Sequence, residues 1–186
     1  MGILDNVKKT VGESKIGGIK NKMYWAPKSI IAACPQLLPM ADRETAADSK
    51  VLDGDFVFVD PLNDKFNSFE FDVSAGELKW KSEGATAQTK VLMLNFEMEV
   101  STLDASLYQF IEKYKNEDLI LLIERADCSG EIFMFGGCCL PAVITALEGG
   151  LGKDAKTFGS TKFTFEAYSN GLPPVLDADT VIPVYS

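Results

Sequence analysis

The chain contains no histidine among its 186 residues. This absence excludes Ser-His-Asp and Cys-His nucleophile systems, and it also excludes zinc or haem sites that depend on imidazole ligands. What is present is an ordinary globular balance, with 46% hydrophobic and 24% charged residues. A chain of this size and composition can bury a core of its own, so we expect one domain with at most short appendages.

Long apolar runs are also missing. No stretch of about 18 apolar residues occurs, so the sequence predicts no transmembrane helix. The first residues, MGILDN, lack the apolar core of a signal peptide. They also place Asn6 where a myristoylation signal has Ser or Thr. We therefore expect no membrane partner for this chain.

Cysteine is sparse and irregularly spaced, at Cys34, Cys128, Cys138 and Cys139. The spacing does not match C-x₂-C, and adjacent cysteines chelate one metal poorly, so the pattern does not favour a zinc site. In a chain without a signal peptide, these residues are predicted to be reduced thiols in a cytosol. Because cysteine is readily buried, we expect thiols packed beside the apolar run Phe133–Phe135.

Negative charge exceeds positive charge, and it is unevenly placed. The chain has 18 Lys and Arg against 27 Asp and Glu, a net charge of −9. Residues 1–28 hold six Lys against two acidic residues, which gives +4 and leaves −13 for the rest. A basic arm on an acidic body favours head-to-tail self-association over a grip on phosphate backbones. A solubilising basic tail is the alternative interpretation.

Strand patterns dominate the body of the chain. The runs Phe69–Val73 and Leu78–Lys81 alternate apolar and polar residues on either side of a Ser-Ala-Gly turn. They predict a hairpin in which the lysines of the second run face Glu70 and Asp72 of the first. A Pro- and Ala-rich stretch, residues 36–50, is predicted to be a loop. Further strands are predicted at Ile19–Ala26, Ile30–Cys34, Phe56–Val59, Val91–Val100, Leu119–Ile123, Glu131–Phe135, Pro141–Leu147 and Thr161–Tyr168.

One segment has the periodicity of an amphipathic helix. Apolar residues recur from Leu103 to Tyr114 at helical spacing, and Ser101 with Asp104 fits a loose capping box, so a helix is predicted over about 103–115. With seven or more strands around it, the sequence predicts a mainly β (α+β) fold, a β-sandwich or barrel with one flanking helix. We divide the chain into an N-terminal arm, residues 1–18, and a single β-rich domain, residues 19–186.

Two glycine motifs match nucleotide-binding patterns only in part. The segment Gly150–Ala155 fits G-x-G-x-x-A, but the residues that follow, KTFGS, do not predict the helix that would hold a pyrophosphate. A Walker A site fails because Asp154 follows Lys153 and Leu147 stands where the first glycine belongs. The sequence therefore predicts a loop here and no cofactor.

Carboxylates cluster in two loops, at Asp53, Asp55, Asp60 and Asp64 and at Asp177 and Asp179. A glycosidase needs two carboxylates on rigid elements in a cleft, and no pattern here fixes such a pair. Trp25 and Trp80 could line a sugar-binding face, although aromatic residues in strands belong first to the core. We identify no catalytic, cofactor-binding or metal-ligating residue, and we do not expect an enzyme.

The order of these features resembles a known family. A short N-terminal segment leads into a Tyr-Trp-Ala-Pro strand, Tyr24–Pro27, then a hairpin with a polar tip, a long strand and one amphipathic helix. The segment Leu119–Asp127 follows with an acidic turn to Gly130, and a Phe-rich late strand, Phe163–Tyr168, closes the series. This layout is similar to the tail tube (major tail) proteins of long-tailed bacteriophages and of related contractile injection systems.

That resemblance implies a structural protein of the virion tail that is assembled in the host cytoplasm. Six copies would form a ring, and rings would stack into a tube through which DNA passes without tight binding. Contacts with other copies and other tail proteins would involve the arm, residues 1–18, and the loop, residues 82–89. An acidic channel wall would let DNA slide. The rival hypotheses are a monomeric β-sandwich module that binds carbohydrate, and a hydrolase that uses carboxylates alone.

Overall fold

The computed structural model describes residues 18–39, 42–45, 48, 50–72, 75–84, 91–101, 104–127, 129–150 and 159–185. Within these ranges the chain forms one α-helix, α1 (Ala105–Tyr114), and a 3₁₀ turn, Lys28–Ile30. The strands are β1 (Ile19–Pro27), β2 (Ile31–Ala33), β3 (Gln36–Leu37), β4 (Val51–Asp53), β5 (Val57–Phe58), β6 (Asn67–Glu70), β7 (Glu77–Glu83), β8 (Val91–Val100), β9 (Leu119–Arg125), β10 (Ile132–Phe135), β11 (Val143–Gly150), β12 (Ser160–Ser169) and β13 (Val175–Leu176). The prediction of a mainly β fold with a flanking helix is confirmed.

The strands form two large sheets and one small one. The seven-stranded sheet has the order β3-β4-β13-β10-β9-β1-β6, and the four-stranded sheet has the order β11-β12-β8-β7. All neighbours are antiparallel except β13 and β4, which are parallel. Strands β2 and β5 pair with each other. The stretch 36–50, predicted to be a loop, therefore opens with a short edge strand, β3.

The main core lies between the two large sheets. Alternate residues of β8 and β12 face it, and Phe96, Phe163 and Phe165 are fully buried there. Their rings pack against one another, with Phe96 stacked on Phe165 at 5.8 Å between centroids. Helix α1 closes the core at one side through Leu107 and Phe110. Alternation in the sequence thus predicts the faces of these strands correctly, because one face is covered and the other is not.

A second core covers the opposite face of the seven-stranded sheet. It is built from β2, β5 and the loops around them, with Phe56, Phe58 and Phe66 in edge-to-face contact. The C-terminal segment joins this layer, since the N–H of Phe66 donates to the carbonyl of Pro183. Strand β9 is therefore buried on both faces, which explains why Leu119–Ile123 is apolar without alternation.

Helix α1 begins later than predicted. Asp104 is its N-cap, and the Asp104 carboxylate accepts a hydrogen bond of 2.8 Å from the N–H of Leu107. The capping box starting at Ser101 is wrong, since the Ser101 hydroxyl donates instead to the carboxylate of Asp72. The predicted first residue, Leu103, lies outside the described residues. No helix in the described part of the chain is long and apolar enough to cross a membrane.

The predicted hairpin between Phe69–Val73 and Leu78–Lys81 is wrong. Strand β6 pairs with β1 in the seven-stranded sheet, whereas β7 pairs with β8 in the four-stranded sheet. The chain crosses between the sheets at a corner where the side chain of Phe71 is buried. Gly76 is required there, because a Cβ on it would lie 2.5 Å from the ring of Phe71.

Candidate functional site

Carboxylates of the two acidic loops accept hydrogen bonds within their own turns. The carboxylate of Asp60 accepts hydrogen bonds from the side chain of Asn63 at 2.7 Å and from the N–H of Leu62 at 3.1 Å. The bond from Asn63, followed by that from Leu62, holds the pKa of Asp60 below its usual range. Asp177 likewise accepts from the N–H of Asp179. Over the described ranges, no three His, Cys, Asp or Glu side chains are grouped as metal ligands.

The cysteines differ from the prediction of four reduced thiols. Cys34 and Cys138 form a disulfide across a Cα–Cα distance of 5.8 Å, and Cys139 is exposed. Cys128 lies outside the described residues. Sequence spacing could not reveal the pair, because its members are 104 residues apart and meet only when the second core is assembled. The prediction of buried thiols is wrong for Cys139 and for the bonded pair.

The two tryptophans occupy different environments. Trp25 is buried, and its ring contacts those of Phe110 and Tyr114 edge to face at 4.8 and 4.6 Å. It is a core residue, and it also lines the groove between α1 and β6. Trp80 lies on the edge strand β7 with its side chain 53% exposed. Of the two, Trp80 is the more exposed.

The outward side of the four-stranded sheet, which we call the solvent face, is charged. Each of its charged residues either alternates with core-facing residues along its own strand or is the ladder partner of an outward-facing residue on the next strand. They are Glu77, Lys79, Lys81, Glu83, Glu97, Glu99, Glu148, Lys162 and Glu166. Six Glu against three Lys give this face a net charge of −3. The solvent face therefore carries −3 of the net charge of −9.

Glu97 is the centre of the ion pairs on the solvent face. Its carboxylate lies 2.6 Å from the Nζ of Lys162 and 3.7 Å from the Nζ of Lys79. Lys79 also lies 2.7 Å from Glu77. The hydrogen bond from Lys162 holds the pKa of the Glu97 carboxyl below its ordinary range, and the same bond raises the pKa of Lys162.

Both edges of the four-stranded sheet are long. Strand β7 has seven residues and β11 has eight, and within the described residues each pairs on one side only. The edge strands of the seven-stranded sheet, β3 and β6, have two and four residues. Folded proteins usually shorten or cover such edges, because unpaired N–H and C=O groups pair with other chains. The two long edges are therefore candidate surfaces for association.

An apolar cavity of about 310 Å³ lies beside the β11 edge, between this strand and α1. Leu147 and Tyr108 at its mouth are 40% and 63% exposed. Its lining residues are Leu107, Tyr108, Ile111, Leu147, Gly149, Gly150 and Thr161. Two glycines leave this space open at the end of β11. A larger groove of about 560 Å³ separates α1 from β6, and a cavity of about 360 Å³ adjoins the disulfide.

The motifs considered from the sequence fall at the margins of this surface. Gly150 ends β11, and the next described strand, β12, returns antiparallel beside it. The rest of the G-x-G-x-x-A segment, residues 151–155, lies outside the described residues. So do residues 85–89 of the loop 82–89 and residues 1–17 of the arm. No protein-family model, curated protein or solved structure matches this chain significantly.

The ion pairs of Glu97 make a testable contribution at low pH. Glu97→Gln is expected to lower the free energy of unfolding at pH 7 by at most about 1 kcal/mol, because the group is partly exposed. Since the folded-state pKa of Glu97 lies below its ordinary value of 4.5, the contribution is present above that value and lost as the pH falls through the folded-state pKa. The difference between the two proteins should therefore shrink as the pH falls below 4.5, as measured by urea unfolding.

Glu99→Gln is the matched control for that experiment. It removes the same charge from the next outward position of β8, and Glu99 has no ion pair within 4.0 Å among the described residues. A pH-dependent difference that is equal in both variants would contradict a specific role for the Glu97 pairs.

Proposed function

We propose that this protein is a structural protein whose copies close into hexameric rings, which stack into a phage tail tube for the passage of DNA. The observation that carries the proposal is the four-stranded sheet, which combines two long unpaired edges with an acidic solvent face. In the proposed ring, the edges join neighbouring copies and the solvent face lines the channel. The resemblance in feature order supplies the number of copies and the role in a tail.

The direction of the strands suits a ring. Neighbours within the four-stranded sheet are antiparallel, so β7 runs opposite to β11. If β7 of one copy lies beside β11 of the next, the antiparallel alternation continues across the contact. Such a contact joins two different surfaces, and it closes into a ring when the rotation between copies allows. Closure would also remove both exposed edges.

The size of the resulting barrel suits a channel. Six copies with four strands each would supply 24 strands. Barrels of about 16 to 18 strands already leave an aqueous channel, and diameter grows with strand number. A barrel with this many strands would therefore be open along its axis.

The charge of the proposed channel wall suits a moving polyanion. A net charge of −3 on each solvent face becomes −18 in a ring of six. Phosphate backbones bind to Lys and Arg through the release of counterions, and an acidic wall offers no such binding. DNA would pass along this wall without being held.

The first test of the proposal is the state of assembly. Size-exclusion chromatography with light scattering is expected to show a species of about 122 kDa, six times the chain mass of 20.3 kDa. The amount of this species should increase with protein concentration. Negative-stain images of the same fractions are expected to show rings and stacked rings. A protein that remains monomeric at every concentration up to the solubility limit would contradict the proposal.

Deletion of residues 1–18 separates ring formation from stacking. The shortened chain is expected to fold and to form rings, because both sheet edges remain, but to form fewer and shorter tubes. Unchanged tube length would remove the basic arm from the stacking contact.

A further inference from the structure

Trp80 is a core-facing residue without a core around it. It lies opposite Leu94 in the β7–β8 ladder, and Leu94 lies opposite Ala167 in the β8–β12 ladder. Partners in a ladder share a face, so all three side chains belong to the inner side of the sheet. Leu94 and Ala167 are 1% and 2% exposed, whereas Trp80 is 53% exposed. The largest apolar side chain on this edge therefore lies uncovered.

The opposite edge of the same sheet has an uncovered space on the same side. The cavity beside β11 is lined on the inner side by Leu147, which lies opposite the buried Phe163. Its volume of about 310 Å³ lies at the lower end of cavities that bind small molecules, and it suits one aromatic side chain. Thr161 in the lining supplies an acceptor for an indole N–H.

The geometry of barrel closure relates these two features. Strands in a closed barrel are tilted, so each strand is staggered relative to the last. The shear is the total stagger, in residues, on going once around the barrel. A tilt of about 36° corresponds to a shear equal to the number of strands. Each copy supplies four strands, so neighbouring copies are staggered by about four residues. We call residues level when they are ladder partners across one or more strands of the sheet. Trp80 pairs with Leu94 of β8 and is level with it. Leu147 pairs with Phe163, which pairs with Met98 of β8, so Leu147 is level with Met98. Leu94 and Met98 are four residues apart, so this stagger brings Trp80 of one copy level with Leu147 of the next.

The direction of the stagger follows from the handedness of the sheet. The carbonyl of Glu99 accepts from the N–H of Asp72, which precedes β7, so outward-facing residues of β8 direct their peptide groups towards β7. For L-residues this places β11 on the right when the sheet is viewed from the core with β8 running upward. The strands of a barrel coil around its axis in a right-handed sense. In the proposed ring the channel lies on the solvent face, so the view from the core is the view from outside the barrel. The copy that adjoins β11 is therefore shifted towards the C-terminal end of β8. That is the direction from Trp80 to Leu147.

Charges on the solvent face agree with the same stagger. Lys79 pairs with Asn95 of β8. Glu148 pairs with Lys162, which pairs with Glu99 of β8. Asn95 and Glu99 are also four residues apart, so Lys79 of one copy becomes level with Glu148 of the next. The Lys79 side chain is 50% exposed and Glu148 is exposed, so both are open to a neighbouring chain. Opposite charges therefore meet at the contact.

We infer that Trp80 is the anchor of the contact between neighbouring copies, and that its indole occupies the cavity between α1 and β11 of the next copy. The inference rests on the proposed ring and names its central contact. Buried tryptophans in fitted cavities are typical centres of binding energy at protein interfaces. The remaining contacts along β7 and β11 provide strand pairing and register.

Two variants test the two sides of the contact. Trp80→Ala removes the anchor, and Leu147→Trp fills the cavity from a position that faces the inner side of the sheet and is 40% exposed. Each variant is expected to raise the concentration needed for half assembly by about 30-fold or more, since central interface residues contribute about 2 kcal/mol or more. Tyr168→Ala, an exposed aromatic substitution on the solvent face away from both edges, is the control and is expected to assemble normally.

Mixing the two variants gives the sharpest outcome. The Leu147→Trp chain keeps its Trp80 and the Trp80→Ala chain keeps its cavity, so one contact can form between them. An equimolar mixture is expected to yield a dimer of roughly 41 kDa, twice the chain mass, while each variant alone stays monomeric at the same concentration. Rings of wild-type protein together with normal assembly of both variants would overturn the anchor and leave the ring proposal intact. A wild-type protein that stays monomeric would overturn both.

Discussion

Reduction of the disulfide between Cys34 and Cys138 is expected to lower the melting temperature by about 5 to 20 °C. The bond closes a loop of 104 residues, and the loop-closure entropy removed from the unfolded chain corresponds to about 4.7 kcal/mol for a loop of roughly this length. Removal of a native disulfide typically costs about 2 to 5 kcal/mol. For a chain of this size each kcal/mol moves the melting temperature by about 2 to 4 °C.

The bond joins two layers of the fold. Cys34 follows β2 in the second core, and Cys138 follows β10 of the seven-stranded sheet. Strands β2 and β5 have only three and two residues, so few backbone hydrogen bonds hold this layer in place. After reduction we expect amide exchange to accelerate first in β2 and β5 and only later in β8 and β12.

Calorimetry with and without a phosphine reductant measures the shift in melting temperature. Cys139→Ser keeps the bonded pair and is expected to show the full shift, whereas the double variant Cys34→Ala/Cys138→Ala should melt at the lower temperature with or without reductant. Thiol titration of the unreduced, denatured protein should count at most two free thiols. A count of four, or equal melting temperatures in both conditions, would contradict the bond.

The contrast between predicted and observed strands shows what local patterns can specify. Val91–Val100 and Thr161–Tyr168 were predictable because each has one covered and one open face, and alternation reports that difference directly. The turn from β9 to β10 was predictable for a similar reason, since adjacent antiparallel strands are joined by a short polar segment. In these cases the information is local in sequence.

The false hairpin at Phe69–Lys81 had the same local signal. Alternation on both sides of a Ser-Ala-Gly turn is identical whether the two strands pair with each other or with different sheets. The deciding contacts are non-local, since β6 pairs with β1 and β7 pairs with β8. The disulfide and the free edges escaped prediction in the same way, because each depends on which distant segments lie side by side.

The candidate contact was even less accessible from sequence. Trp80 was visible as an aromatic residue, but its exposure follows from β7 being the last strand of its sheet. The cavity beside β11 exists because α1 and the last residues of β11, which are distant in sequence, lie side by side. Composition predicted an acidic body; the sheet topology was needed to find which of its acidic residues share the solvent face.

Phe163→Ala is expected to destabilise the folded chain by about 3 to 5 kcal/mol. The Phe163 ring is fully buried and contacts Phe165, Phe110 and Phe69 at centroid distances of 6.1, 5.8 and 6.0 Å. Its removal would leave a cavity where β12, helix α1 and β6 meet, and rigid sheets cannot collapse to fill such a space.

Urea unfolding of Phe163→Ala, at a concentration where the protein is monomeric, measures this loss as a lower midpoint with an unchanged slope. Tyr168→Ala is the matched control, because it truncates an aromatic side chain of the same strand that is 48% exposed, and it should change the free energy of unfolding by no more than about 0.5 kcal/mol. Equal losses for the two variants would contradict the assignment of the two faces of β12. Since the same assignment places the acidic residues of this sheet on its open side, that result would also remove the support for an acidic channel wall.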